Sequence, residues 1–370
     1  MTMTNKIEGI FRLLSPMHCA AVGDTGGEKN VTLTQKQSLI TRSGKRTFPI
    51  FPGNDLRGRL RRKAAALVLD HIVVAGKVKV DLYAGLMAGA ITASPESNLT
   101  VEEALRARDN VYMGLFGGGT RLLRSRFCTN DLVPVLADTI EARIVPAHFG
   151  EDWLPMGFIG DGVVGNLSGF GVTDKRTSFR LDDVSHVISI NEMEQYIENV
   201  LVSVGQKQGE TLSGRKERKD SKAAAKAGEI KGAEVVGKKD LSNMFTVESI
   251  MRGTPMYCLI DLQNDASDAH VGLLLLALQA LVREQALGGW IRTGFGRYSA
   301  DLALTRNGQR YQVFADGQDA ADATLTAEVD AAFCVPAIAA IGTLTAESMM
   351  EFFTPRATVK DAGVDAGVPA

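Results

Sequence analysis

The stretch GGWIRTGFGRYSADLAL, residues 288–304, decides how the fold of this chain is predicted. A dinucleotide-binding fold needs the pattern GxGxxG after a strand and at the start of a helix. Here Gly294 and Gly296 lack the third glycine, and the order is reversed: a helical pattern over Asp268–Leu287 precedes the loop and a strand follows it. The sequence therefore argues against a nucleotide cofactor. It leaves a Gly-rich loop, flanked by arginines, that can approach a partner closely.

Outward from this loop, the chain alternates apolar strands, Gly-rich turns and amphipathic helices. Ile7–Leu14, Phe127–Val135 and Thr139–Val145 have the pattern of strands, and a helix is predicted over about 54–75. The run GLFGGG, residues 114–119, is predicted to be a turn or hinge that interrupts any helix. This order predicts an α+β domain with βαβ-like units and large insertions.

Composition limits the possible functions. The chain has 370 residues, 45% of them hydrophobic, so it can bury a substantial core. Its formal net charge of -2 means that any polyanion-binding function must rest on local clusters. The cysteines and histidines are scattered without metal-binding spacing, and the charged N-terminus lacks a signal-peptide apolar run. We expect a soluble cytoplasmic protein that has no cofactor or metal and does not associate with a membrane.

The charges are unevenly distributed. Residues 206–240 are rich in Lys and Arg and contain no aromatic residue, so they are predicted to be a mobile basic insertion. Residues 311–355 contain no Lys or Arg. The chain is therefore predicted to consist of a core over 1–310 and an acidic part over 311–370 that packs on it and has a flexible end.

The helix start FPGNDLRGRLRR, residues 51–62, carries four arginines in its first turns. A helix N-terminus with arginines is a ready anion site, and four of them suggest a polyanion rather than a single phosphate. An enzyme that binds a phosphorylated small molecule, or simply a charged exposed face, remains open for this segment alone.

Two further segments suit single-stranded nucleic acid. GGGTRLLRSRF places arginines between a glycine run and a strand, and DKRTSFRLDD interleaves basic residues with an aromatic one. For the second segment taken alone, a β-hairpin tip remains the alternative. The candidate nucleic-acid contacts from all clusters are Arg42, Arg46, Arg57, Arg59, Arg61, Arg62, Arg121, Arg124, Arg126, Lys175, Arg176, Phe179, Arg180, Arg292 and Arg297.

In their order along the chain, these motifs resemble the RAMP superfamily of CRISPR-Cas proteins. Within it they are most similar to the backbone subunit, the Cas-seven family, in its type IV version. The resemblance rests on SPMHCAAVGDTGG at 15–27, PGNDLRGRLRR at 52–62, SRFCTNDLVPV at 125–135 and GGWIRTGFG at 288–296.

The resemblance implies an RRM-like (ferredoxin-type) core with large insertions, among them a thumb-like hairpin that we place at residues 165–183. It implies that copies of the chain form a helical filament along a CRISPR guide RNA (crRNA). The filament would present the guide to a complementary target nucleic acid, together with other type IV effector subunits. It assigns RNA phosphates to the helix start at 57–62 and to the loop at 288–297.

The resemblance also raises the question of catalysis. Type III backbone subunits cut target RNA with an aspartate in the loop after the first strand, and Asp24 lies in the corresponding loop. The motif here differs, so we expect no enzymatic activity, with an RNase that uses Asp24 as the alternative.

Overall fold

The fold is described from a computed structural model. It describes residues 5–21, 31–42, 44–89, 100–119, 123–153, 171–179, 244–315 and 322–354. Two compact units are present: one comprises residues 1–24, 33–175 and 248–370, and the other residues 25–32 and 176–247.

The described strands are short to medium in length. They are β1 (Asn5–Leu13), β2 (Val31–Thr32), β3 (Lys36–Thr41), β4 (Gly44–Pro49), β5 (Phe127–Thr129), β6 (Val133–Pro134), β7 (Thr173–Phe179), β8 (Met244–Ile250), β9 (Pro255–Leu262), β10 (Tyr298–Arg306) and β11 (Gln309–Gln312).

The described helices include two long ones, α1 and α7. They are α1 (Gly53–Ile72), α2 (Val80–Ala88), α3 (Val101–Asp109), α4 (Val111–Phe116), α5 (Ala137–Glu141), α6 (Ala147–Trp153), α7 (Asp268–Glu284), α8 (Ala327–Val329), α9 (Val335–Ile341) and α10 (Ala346–Met350). Within the described ranges, no helix combines the length and the apolar character needed to cross a membrane.

The main sheet is antiparallel, with strand order β11-β10-β1-β9-β5 and with β6 also paired to β9. The central register places Ile7 opposite Leu304 on one side and opposite Ile260 on the other. Helix α1 lies between β1 and β5 along the chain, and α7 lies between β9 and β10. The predicted α+β class is thus confirmed.

One face of this sheet is covered by α1 and α7. Alternate residues of β1, such as Ile7 and Phe11, point into this core and are fully buried. Leu56 and Leu60 of α1 meet them at helical spacing. Burying each such side chain contributes about 1.5–3 kcal/mol to the free energy of folding. This buried layer therefore holds α1 against the sheet.

The other face of the sheet carries a second core. Ile10 and Tyr257, which are register partners on β1 and β9, are buried there with Phe48 of the β3–β4 hairpin and Phe149 of α6. Helix α5 belongs to this layer and corrects the strand predicted for 139–145. Its Thr139 hydroxyl accepts the backbone N–H of Leu136 at 3.0 Å and closes the first turn of a helix.

The glycine run at 114–119 also differs from its prediction. Helix α4 continues through Gly114 to Phe116, because a side chain there would meet the carbonyl oxygen of Arg108 at 2.4 Å and glycine permits the close packing. Positive φ angles begin only at Gly117, with 62°. The helix therefore ends three residues later than the glycine pattern predicts.

The described C-terminal residues pack on α7. Helices α8 and α9 are joined by a π-helical turn over Asp330–Cys334, which forms one continuous segment with them. In this turn the carbonyl oxygen of Phe333 faces Gly272, where a Cβ atom would lie only 1.9 Å from it. Ala337 and Ile341 of α9 are buried, whereas Val335 and Ile338 are exposed.

Candidate nucleic-acid interface

The start of α1 is held by the protein itself. The backbone N–H of Gly53 donates to Asp131 Oδ1 at 2.8 Å, and the Thr129 hydroxyl donates to the Gly53 carbonyl at 2.7 Å. A Cβ atom on Gly53 would lie 2.4 Å from the Thr129 carbonyl oxygen, so glycine is required here. The first N–H group of the helix is therefore already used by a carboxylate. Asp131 thus occupies one of the backbone N–H groups that an anion at this helix start would use.

Arg57 and Arg61 point to one backbone oxygen. Their Nη2 atoms lie 2.9 Å and 2.7 Å from the carbonyl oxygen of Phe116, and Arg61 Nη1 also donates to Gly117 O at 3.2 Å. Arg61 is buried and stacks on the Phe116 ring. Burial and the nearby Arg61 charge lower the pKa of Arg57. Arg61 thus stabilises the turn after α4 and cannot reach a phosphate, so we remove it from the candidate contacts.

Arg59 joins the two sequence motifs that were proposed to act together. Its guanidinium donates to the carbonyl oxygens of Ala286 at 2.7 Å and Gly288 at 2.8 Å. Four residues later, Lys63 forms an ion pair with Glu284 at 3.0 Å. The helix start and the Gly-rich loop, to which the resemblance assigns RNA phosphates, are therefore neighbours, but Arg59 is engaged in holding them together.

The loop is also fixed to the segment that follows β1. The Gly289 N–H donates to His18 O at 2.7 Å, and the Gly296 N–H donates to Pro16 O at 2.8 Å. Gly288 has φ +80°, and a Cβ atom there would lie 2.2 Å from His18 O. Gly294 has a similar φ of +85° but has open space around it. The close approach that the glycines permit is thus mainly an approach to the protein's own backbone.

Three arginines of these two motifs remain exposed: Arg62, Arg292 and Arg297. The Arg297 guanidinium lies 3.2–3.3 Å from Gln285 Oε1, a neutral acceptor. Within the described ranges, none of the three forms an ion pair with a carboxylate. Their positive charges are therefore available to an anionic ligand.

Trp290, at the tip of the loop, is a residue that the sequence candidates omit. It is 37% exposed and has φ +60°, a left-handed conformation that costs a bulky residue on the order of 1–3 kcal/mol. Its carbonyl accepts the backbone N–H of Thr293 at 2.9 Å and the Thr293 hydroxyl at 2.7 Å, which hold the turn in place. The sequence signal was an aromatic residue among glycines beside Arg292.

A cleft of about 490 Å³ lies between the start of α1 and β5. It is lined by residues that include Arg57, Arg124, Cys128 and the β-register partner of Cys128, Asp261. The Nε atom of Arg57 is buried and has no hydrogen-bond partner within the part of the chain that the structure describes, and Arg124 is exposed. This cleft could hold a small anion.

Arg126 is buried beside the cleft. Its guanidinium donates to the Arg108 carbonyl oxygen, and its Nε lies 3.4 Å from Asp265 Oδ2. Its Nη1 also lies 3.0 Å from Nε2 of His270. Burial and the charge of Arg126 lower the pKa of His270 to about 4, so this imidazole is neutral near pH 7. Arg126 therefore has a structural role, and we remove it from the candidate contacts as well.

The remaining candidates are scattered. Arg42, Lys175 and Arg176 are exposed, and Arg46 is half-buried with its Nε lacking a partner among the described residues. Of the predicted thumb, the structure describes 171–179, which includes strand β7 and the backbone of Phe179 but not its side chain. Outside the described residues lie Arg121, Arg180, Asp24 and the basic segment 206–240.

The sheet itself offers no aromatic platform of the kind that RRM domains use to stack bases. On its second face, Ile10 and Tyr257 are covered by the second core. The exposed aromatic residues Tyr83 and Trp290 lie on α2 and on the Gly-rich loop, outside the main sheet. Any base stacking by the described residues must therefore involve a loop or a helix surface.

No group of three or more potential metal ligands occurs among the residues that the structure describes. No protein-family model matches the chain, and no curated protein matches it. The fold is similar, with a TM-score of 0.46 and 14% sequence identity, to a chain of a solved structure named "Type IV-B CRISPR Complex". The match covers 86% of this chain and 96% of that chain.

Proposed function

We propose that this chain is a guide-RNA-binding backbone subunit of a type IV CRISPR-Cas effector complex, acting in the prokaryotic cytoplasm. Copies of it would polymerise along the guide and present it to a complementary target, together with other effector subunits. The class of protein, a CRISPR-Cas backbone subunit, is inferred from the motif resemblance in the sequence. The observation that carries the RNA-binding role is the contact made by Arg59 between the helix start and the Gly-rich loop.

This contact leaves Arg62, Arg292 and Arg297 as the proposed phosphate contacts. Arg62 lies three residues after Arg59 on α1, so it is on the same side of the helix as the loop. Exposed guanidiniums without carboxylate partners favour binding to phosphates, which carry no sequence information. We expect affinity that depends on salt and not on RNA sequence.

The order of elements supports an RRM-like core. Strand, helix, strand, strand, helix and strand occur in this order as β1, α1, β5, β9, α7 and β10, with other elements inserted between them, and the sheet order is β10-β1-β9-β5. This succession is that of the ferredoxin-type motif. Because the second sheet face is covered, RNA would bind at the loops and helix ends rather than on the strands.

The proposal is tested with the full chain and labelled single-stranded RNAs of unrelated sequence. We expect bound RNA and elongated particles in the purified protein, with an affinity that falls steeply as salt increases. A triple variant with Arg62→Ala, Arg292→Ala and Arg297→Ala should weaken binding to every RNA alike. It should reduce the salt slope by about 2, because each phosphate contact with a single strand contributes about 0.7.

Arg310→Ala is the matched control, because Arg310 is an exposed arginine on the edge strand β11, outside the candidate interface. It should leave the affinity and the salt slope close to wild type. Compact RNA-free particles that bind RNA weakly, or a triple variant whose salt slope equals that of the wild type, would overturn the proposal.

The cleft beside β5 favours a second candidate function, the binding of a phosphorylated small molecule. Arg57 and Arg124 are the cations that would hold its phosphate group. Calorimetry with a nucleoside monophosphate and with inorganic phosphate tests this. Micromolar affinity that is abolished by Arg124→Ala, in a protein that does not bind RNA, would favour this candidate over the first.

Catalysis through Asp24 is a separate question. We propose that the chain is not an RNase. An assay of target-RNA cleavage by assembled wild-type and Asp24→Ala proteins tests this, and cleavage that is lost in the variant would contradict it.

A further inference from the structure

The outward face of α9 is apolar and exposed. The segment Ala331–Gly342, which contains α9, has no charged side chain and no amide or hydroxyl side chain. Ala337 and Ile341 are buried in the same core as α7, whereas Val335 and Ile338 are each 57% exposed. A helix that is apolar on all sides is normally buried. The exposed face of α9 is therefore a candidate contact surface.

Acidic residues flank this surface. Residues 311–355 contain no Lys or Arg. Asp330 directly precedes the apolar segment, Glu347 follows it on α10, and both are exposed. Within the described ranges, neither forms an ion pair with a Lys or Arg side chain. A partner that fits α9 should therefore present an apolar side chain beside positive charges.

The β3–β4 hairpin of this chain presents such a side chain. Ile40 is 85% exposed, and its register partner on β4 is Lys45. The preceding residue, Leu39, is buried in the second core. Because successive side chains of a strand point to opposite faces, Ile40 points away from the protein. Directly opposite residues of an antiparallel pair are neighbours, so Ile40 and Lys45 form one outward surface.

The hairpin is also basic. Residues 31–54 contain no Asp or Glu. Arg42 and Lys45 are exposed, and neither forms an ion pair among the residues that the structure describes. Glu141 of α5 lies beside the tip, where it accepts the backbone N–H of Arg42 at 3.0 Å. The hairpin and the surface of α9 thus have opposite charge and matching apolar side chains.

These two surfaces belong to opposite faces of the main sheet. The hairpin packs in the second core through Leu39 and Phe48, whereas α9 packs with α7 on the other face through Ala337 and Ile341. The hairpin therefore does not meet α9 within one chain, but the hairpin of one copy can meet α9 of another. A contact between two different surfaces can repeat from copy to copy, which produces an open assembly.

We propose that the β3–β4 hairpin of one copy docks on α9 of the next copy, with Ile40 packed against Val335 and Ile338. Arg42 and Lys45 then face the acidic residues around α9, so Arg42 serves the contact between copies. This inference rests on the proposed function, and it names the surfaces through which the copies polymerise. Pairing of α9 with α9 of a second copy is disfavoured, because it brings two acidic segments together and closes at two copies.

The main experiment mixes two variants of the full chain, Ile40→Asp and Ile338→Asp, in the absence of RNA. Each variant loses one of the two surfaces, so each should remain monomeric in sedimentation velocity at concentrations where the wild type forms a series of larger species. The mixture should form a heterodimer and nothing larger. In that heterodimer, the intact hairpin of the Ile338→Asp protein docks on the intact α9 of the Ile40→Asp protein.

Val74→Asp is the matched control. It introduces the same charge at a valine that is 89% exposed and lies in the turn after α1, outside both surfaces. This variant should assemble like the wild type. All three substituted side chains are exposed, so the midpoints of urea unfolding should stay close to the wild-type value. Assembly of the wild type should weaken as salt increases, because opposite charges meet in the contact.

RNA binding separates this inference from the proposed function. On a short single-stranded RNA that holds one copy, Ile40→Asp and Ile338→Asp should bind within twofold of wild type. On an RNA that holds several copies, both should lose the cooperativity that the wild type shows. A wild type that assembles through these surfaces but binds no RNA would refute the proposed function and leave the inference standing.

Three outcomes would overturn the inference. One is that either Asp variant assembles like the wild type, or that their mixture forms no heterodimer, which assigns the α9 face to another partner. Another is that Ile40→Asp weakens binding to the short RNA and leaves assembly intact, which makes the hairpin an RNA contact. The third is a wild type that is monomeric without RNA and binds the longer RNA without cooperativity.

Discussion

Arg59 and Arg62 are three residues apart on one helix, but the structure predicts that they have different roles. Removing Arg59 should lower stability, whereas removing Arg62 should weaken RNA binding. Arg59→Ala removes two charge-assisted hydrogen bonds, to the carbonyl oxygens of Ala286 and Gly288. Such bonds contribute about 1.5–3 kcal/mol each. Since the site is half-buried and water can replace part of the loss, we expect Arg59→Ala to lower the free energy of unfolding by about 2–4 kcal/mol. Arg62 is exposed, so Arg62→Ala should change the free energy of unfolding by less than about 0.5 kcal/mol.

The assay is urea unfolding of both variants, followed by RNA binding at several salt concentrations under conditions where each is folded. Arg62→Ala should keep wild-type stability and reduce the salt slope by about 0.7, the share of one phosphate. Arg59→Ala should be less stable, and Arg59→Lys should recover only part of the loss, because an ammonium group does not match the fork geometry of two carbonyls. A stable Arg59→Ala protein whose only defect is RNA binding would refute the assignment of Arg59 to the loop.

Two further predictions concern stability. Gly288→Ala should destabilise the fold by more than about 3 kcal/mol, because its Cβ atom would lie 2.2 Å from His18 O. Gly294 has a similar φ but open space around it, so Gly294→Ala should cost only about 1 kcal/mol. Equal losses of the free energy of unfolding in urea would contradict this prediction. The pKa of His270 is about 4 in the folded protein and about 6.5 in the unfolded chain. As the pH is lowered, the unfolded chain therefore binds a proton at His270 before the folded protein does. The contribution of His270 to the free energy of unfolding should therefore be constant above pH 6.5 and should fall by up to about 1.4 kcal/mol per pH unit as the pH is lowered toward 4. In His270→Gln this slope should decrease, and an unchanged slope would assign the acid sensitivity elsewhere.

The sequence predicts the elements of this fold better than the roles of its arginines. The 54–75 helix and the loop at 288–304 follow from local patterns of apolar residues and glycines, which act over a few residues. Which arginines are buried depends on distant carbonyls: Arg59 binds oxygens that lie 227 and 229 positions further along the chain. Four arginines in one helix start therefore look alike in the sequence, although Arg61 is buried and Arg62 is exposed.

Short-range errors have a local cause. The segment 139–145 alternates like a strand, but the hydroxyl of Thr139 also donates to the Pro134 carbonyl at 2.9 Å and thereby ties the helix start to β6. A side-chain hydrogen bond of this kind leaves no periodic signal. Gly114 is similar, since its place inside α4 depends on the tight contact with Arg108 O, which the sequence cannot show.

The π-helical turn at Asp330–Cys334 constrains how the length of this chain can vary. Such a turn contains one residue more than an α-helix would use. Deleting one residue there would turn the π-helical residues into ordinary α-helix, which winds the chain through about the same angle, so Val335–Ile341 would keep the same face toward Gly272. Deleting a second residue would rotate Val335–Ile341 by about 100° and put Ile338 in the place of Ala337, whose Cβ atom lies 2.8 Å from a Cβ atom built on Gly272. An isoleucine cannot fit that space, so homologous chains should be shorter by at most one residue at this turn.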